Sequence, residues 1–171
     1  MNLTPSINAF FESRHNTIGN TSNSINNVAI QSSSPVPLVK MLSNILLYSG
    51  IAIFVVSLFF NVFFTNTNDV SGIWVLLTGW LGFIVFQFAW FANPLSILAI
   101  LLMRQRPLVS LLLIILAVIL ASEMFLFNEI PAASGDDKIY IKEFGLGAYT
   151  WYASHWLVLY SMLLNIIAHK A

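Results

Sequence analysis

The sequence predicts an all-α integral membrane protein: a four-helix bundle with a disordered N-terminal tail and a long, Pro-kinked second helix. Three observations carry this reading. Of 171 residues, 58% are hydrophobic and 8% charged, with a mean hydropathy of +0.82; a water-soluble domain so poor in charge would precipitate. From Met41 to Phe127 the charged side chains are Asp69, Arg104, Arg106 and Glu123 alone. Apolar runs at about 41–64, 73–103, 107–127 and 147–168 each reach the length needed to cross a hydrocarbon core of ~30 Å.

Residues 1–40 hold seven Asn and seven Ser with Pro5, Pro35 and Pro37, and their apolar residues keep no helical or strand period. They read as a flexible cytoplasmic tail, with the four-span domain following over 41–171. Ile7 to Phe11 could form a helical turn on the membrane surface, but one basic neighbour, Arg14, gives it little anchorage. No basic segment precedes an apolar core here, so this end is expected to be retained rather than cleaved as a signal.

The first span, Met41 to Phe64, would measure about 36 Å as a helix. Ile73 to Met103 would measure about 46 Å, too long for a simple crossing. The expected solution lays Ile73 to Leu81 along the outer interface, where Trp74 and Trp80 are at home, and lets Gly82 to Met103 cross. Pro94 lacks an amide donor, which predicts a kink near mid-membrane with Asn93 beside the freed Trp90 carbonyl. Arg104 to Arg106 make a short turn, and Pro107 opens the third span at a position where its missing donor is harmless. Asn128 to Phe144 is a loop with a Gly135-Asp136-Asp137 turn signal, and its alternating Lys138 to Lys142 stretch suits a short interfacial strand or an irregular lid.

Orientation follows from the cations. Arg14, Lys40, Arg104, Arg106 and Lys170 share one side and Lys138 and Lys142 the other, so the five-cation side is cytoplasmic and both termini lie there. Trp74, Trp80, Trp90, Trp151 and Trp156 all fall in the opposite half, as an outer aromatic belt.

Within lipid, helices associate where small side chains let backbones approach. Ser43, Gly50 and Ser57 recur every seventh residue; so do Gly82, Ala89 and Ser96, and Gly147, Ser154, Ser161 and Ala168, with Ser110, Ala117 and Ala121 on the third span. Seven-residue recurrence holds a stripe on one face of helices crossing at about 20°. These stripes are the expected packing seams.

Chemistry-bearing residues are few. Glu123 is the one acidic side chain inside a span, and a carboxylate there must be paired, protonated or wetted. His155 and Gln87 fall at similar depth in the outer half, so the three could form a polar cluster that relays a proton, binds a cation or holds a polar ligand group. The competing reading is structural: Glu123 reaches up to the headgroups and His155 packs among aromatic rings. Asn93 suits an interhelical hydrogen bond beside the Pro94 kink.

Several function classes are disfavoured. A net charge of zero without a basic run gives no footprint for nucleic acid. No cysteine is present, so disulfides, thiolate nucleophiles and Cys-ligated metals are excluded. His15, His155 and His169 are too scattered for a metal site, no metal or other cofactor is expected, and no hydrolase or phosphate-loop motif occurs. Asn2-Leu-Thr and Asn20-Thr-Ser match the glycosylation pattern by chance, on a tail that would never meet the modifying enzyme.

Gly79-Trp-Leu-Gly82, then Phe88-Ala-Trp-Phe-Ala-Asn-Pro-Leu95 and a short basic turn, resembles small uncharacterised inner-membrane proteins of bacteria. The likeness covers roughly residues 45–165 and leaves out the Asn- and Ser-rich tail. It implies a four-span protein of the bacterial inner membrane and brings no activity with it. The leading expectation is therefore a structural or accessory membrane protein whose partners are lipids, another membrane protein or a second copy of the chain. A small transporter, channel or proton-coupled subunit using Glu123, His155 and Gln87 is the alternative; a membrane-embedded enzyme ranks third for want of a nucleophile–base or metal constellation.

Overall fold

The computed structural model describes residues 36–130 and 139–170. The tail reading, the Ile7 to Phe11 turn and the Gly135-Asp136-Asp137 turn fall outside them, apart from the tail's last residues. The chain divides into two units after Pro37, and the fold described here is that of the second, Leu38–Ala171.

Helix α1, Val36–Ser57, is followed by strand β1, Asn61–Thr65, and strand β2, Val70–Ser71. Helix α2, Gly72–Thr78, runs into a 3-10 helix over Gly79–Val85; a second 3-10 turn, Ala89–Phe91, leads into α3, Ala92–Leu102. Helix α4, Pro107–Ser122, ends in a 3-10 turn over Glu123–Leu126. Strands β3, Glu129–Ile130, and β4, Ile139–Phe144, then precede the longest helix, α5, Leu146–Lys170.

Among the described residues two helices are long and apolar enough to cross a membrane, Val36–Ser57 with 22 residues and Pro107–Leu126 with 20. α5 is longer still at 25 residues, but Thr150, Ser154, His155, Ser161 and Asn165 dilute its hydropathy.

The interior mixes small and hydroxyl-bearing side chains with larger apolar ones such as Ile114, Val118, Leu159 and Met162. On α1 the buried residues are Ser43, Gly50 and Ser57, spaced by two full heptads. Ser43 Oγ donates to the Ser161 carbonyl at 2.9 Å, and Ser161 Oγ donates back to the Ser43 carbonyl at 2.8 Å. A Cβ on Gly50 would come within 3.1 Å of the Ser154 carbonyl oxygen, so α1 and α5 touch nearly backbone to backbone there. α3, α4 and α5 close around Ala99, Ile114, Ala117, Ala121 and Met162. Ser110 Oγ donates to the Ala99 carbonyl at 2.7 Å and lies 3.0 Å from Met162 Sδ, tying the three helices at one level.

The outside is the reverse. Leu38, Phe59, Phe86 and Leu126 are each more than two-thirds exposed, while Ser43, Ser57, Ser110 and Ser161 are almost completely enclosed.

Where α1 and α4 finish and α5 begins sits an antiparallel sheet in the order β2-β1-β4-β3. Phe63 stands opposite Phe144, and Ile130 opposite Ile139. Val62 and Phe63 pack with Ala89, Met124 and Ala148, so the sheet is seated on helix ends.

Three expectations require correction. The first helix spans Val36–Ser57 rather than 41–64: its N-terminal turn uses residues assigned to the tail, and Asn61–Thr65 leaves the helix to pair with β4. Phe59 to Phe64 is rich in aromatic and β-branched residues, which suit a pleated surface.

The second apolar run is not one Pro-kinked helix. It breaks between Val85 and Ala89, where Phe86 takes the left-handed φ of 59° and Gln87 N–H turns back to the Gly82 carbonyl at 2.9 Å. Such a backbone costs an L-residue about 1 kcal/mol. Pro94 instead lies in the first turn of α3, where a missing amide breaks no helical bond. The break separates Gly82 from Ala89 and Ser96, so the three form no continuous stripe; Gly82 serves the reverse turn, because a Cβ there would sit 2.7 Å from the Gln87 carbonyl oxygen.

Lastly, the structure is not helical throughout. The stretch read as either an interfacial strand or a lid is the strand β4, and the sheet it joins is part of the fold.

Candidate functional site

The polar residues singled out in the sequence separate into two groups. Glu123 and Gln87 meet at the break in the second apolar run. Phe88 donates its backbone N–H to Glu123 Oε2 at 2.9 Å, and Gln87 Nε2 donates to the Glu129 carbonyl at 3.0 Å. Phe88 precedes the 3-10 turn that becomes α3, so its amide belongs to the donors that a helix start leaves unpaired. Glu123, at the far end of α4, caps that start from outside, and its negative charge complements the helix dipole. The Gln87 amide fastens the same break to β3.

His155 lies elsewhere, 2% exposed on α5 between Phe54 and Trp151. Its ring packs edge-on against Trp151 at 4.7 Å between centroids. Nδ1 stands 2.9 Å from the Trp151 carbonyl oxygen, which only accepts, so in the neutral ring Nδ1 carries the proton and donates. Nε2 is buried and makes no hydrogen bond. Asn93 is engaged one helix away: Trp151 Nε1 donates to Asn93 Oδ1 at 2.9 Å, joining α5 to α3.

Between α1, α3 and α5 lies a groove of about 260 Å³. Gly50 and Phe54 line it from α1, Ser96 and Ile100 from α3, and Ser154 and His155 from α5. Ser96 Oγ, like His155 Nε2, is buried without a hydrogen-bond partner. Gly50 opens this space twice over, by letting α1 approach α5 and by leaving its own side-chain volume empty.

Sequence reasoning named His155, Asn93, Gly50 and Ser154 but assigned the last two to packing alone. Ser96 carried no signal beyond its place in a seven-residue series. That these residues face one cavity depends on how α1 is placed against α3, which no local pattern encodes.

These features define an α-helical protein with two helices fit to cross a bilayer, a small antiparallel sheet on the helix ends and an apolar groove floored by polar atoms. No protein family, curated protein or solved structure matches this chain.

Proposed function

We propose that this chain is a four-span accessory protein of the bacterial inner membrane, holding lipid or a membrane partner rather than moving solutes or catalysing a reaction. The crossings are α1, the Ala89–Leu102 unit with its outer 3-10 and α2 extension, α4 and α5. The segments before α1 and after α5 share the cytoplasmic side with the Arg104 to Arg106 turn, and the sheet faces outward.

The observation that carries this is the distribution of side chains: serines and alanines are buried among the apolar core, while large apolar residues cover the outside. In water such a surface would aggregate; in lipid it is matched to its solvent, and the hydroxyl pairs inside supply the association that hydrophobicity cannot. The Ala89–Leu102 unit reaches only about 20 Å as a helix. Its outer end is met by the Gly72–Val85 segment, and the broken backbone at depth is served by Glu123 and Gln87.

That engagement also favours the accessory reading over transport. A proton-carrying carboxylate must be free to exchange its partner, whereas Glu123 holds a backbone amide. In proteoliposomes bearing a pH gradient, wild type and Glu123→Gln are expected to leak protons at the rate of protein-free vesicles. A wild-type flux abolished by Glu123→Gln, with the helical content unchanged, would overturn this in favour of the transporter.

A further inference from the structure

The groove between α1, α3 and α5 is apolar at its mouth and polar only at its floor. Ile51, Ile97 and Leu101 line the mouth and are themselves exposed, the last two at 60% and 67%. They belong to the surface assigned above to acyl chains, so what enters this groove comes from the membrane phase.

Two atoms in the floor are incomplete. His155 Nε2 is a lone pair, since Nδ1 holds the ring proton against the Trp151 carbonyl. The other backbone group beside the ring, the Ala92 carbonyl, is also an acceptor and cannot serve that lone pair. Ser96 Oγ, on α3, brings a hydroxyl proton with nowhere to go. Buried polar atoms left this way are costly, and two of them line this one cavity.

We propose that the groove binds a membrane-soluble alcohol: an apolar chain or ring carrying one hydroxyl, which donates to His155 Nε2 and accepts from Ser96 Oγ. A hydroxyl is the smallest group that answers both needs at once. An alkane answers neither, and a ketone or ester carbonyl only the serine. At about 30 Å³ for each small group the cavity holds roughly nine non-hydrogen atoms, so a larger lipid alcohol would seat its head end here and leave the remainder among the acyl chains. The proposal rests on the membrane reading only for the source of the ligand.

The test uses the whole chain in detergent micelles, with ¹⁵N-labelled histidine and the His155 ring resonances assigned through His155→Phe. 1-Octanol and n-octane are titrated at matched mole fractions in the micelle. With 1-octanol, Nε2 is expected to move saturably towards the hydrogen-bonded range, while n-octane leaves it in place. Ser96→Ala is expected to weaken the octanol response by about tenfold, the worth of one buried hydrogen bond of roughly 1.4 kcal/mol. An equal response to both probes would overturn the proposal, showing a groove that accepts any chain. An Nε2 already hydrogen-bonded before any addition, and unmoved by octanol, would also overturn it, showing a floor closed by trapped water. Failure of the membrane reading has a different signature, a chain that stays monodisperse without detergent whatever octanol does.

Discussion

Replacing Gly145 by alanine is expected to cost about 3 kcal/mol, the upper end of the range for forcing a methyl group into packed structure. Gly145 joins β4 to α5, and its N–H donates to the Val62 carbonyl at 2.9 Å. An added Cβ would collide with the Asn61 carbonyl oxygen and stand 2.9 Å from the carbon that bears it. Backbone of a paired strand cannot step aside as a side chain would. Relief therefore requires β1 to shift, and with it Phe63 opposite Phe144 and the sheet's seat on the helix ends. The check is unfolding in mixed micelles against denaturing detergent, with Leu146→Ala as the neighbour control; Leu146 is 57% exposed and its truncation should change little.

Replacing Glu123 by leucine is expected to cost about 2 kcal/mol, because the Phe88 N–H loses its acceptor at a site that the four-span proposal sets in lipid. Leucine keeps the bulk and removes the chemistry. Glu123→Gln retains an oxygen at the same reach and should recover more than half of the loss, leaving the charge contribution at the helix start, about 0.5 kcal/mol. The local reading is amide exchange at Phe88, which should accelerate in Glu123→Leu well before the cores of α4 and α5 change. If exchange at Phe88 is the same in all three proteins, the capping role is wrong.

These residues also show what the sequence discloses and what it withholds. The face of α1 that meets α5 was legible in Ser43, Gly50 and Ser57, because close approach of two backbones tolerates only small side chains and their spacing is a property of one helix. The start of α4 at Pro107 was legible for a similar reason, the fixed φ and missing donor of proline. Strand β1 was not, because Phe59 to Phe64 continues the apolar run of α1 and no period distinguishes buried strand from helix over so few residues. The break at Phe86 gave no warning either; nothing in Val85-Phe-Gln-Phe88 is a turn former, and the reversal is held by Gly82, Gln87 and Glu123 acting together. Pro94 was misread because the effect of a proline depends on its distance from the helix start, and that start was hidden by the same break. Glu123 was flagged as a carboxylate needing a partner, but the partner is a backbone N–H, which no residue type announces.

The bilayer crossing itself is tested most directly by labelling. The chain has no native cysteine, so single cysteines can be placed at Asn68, exposed between β1 and β2, and at Gln105, exposed in the turn between α3 and α4. In intact bacterial spheroplasts an impermeant maleimide is expected to label Asn68→Cys at once and Gln105→Cys only after permeabilisation. Equal labelling of both from the same side would contradict the crossing of Ala89–Leu102 and, with it, the four-span protein proposed here.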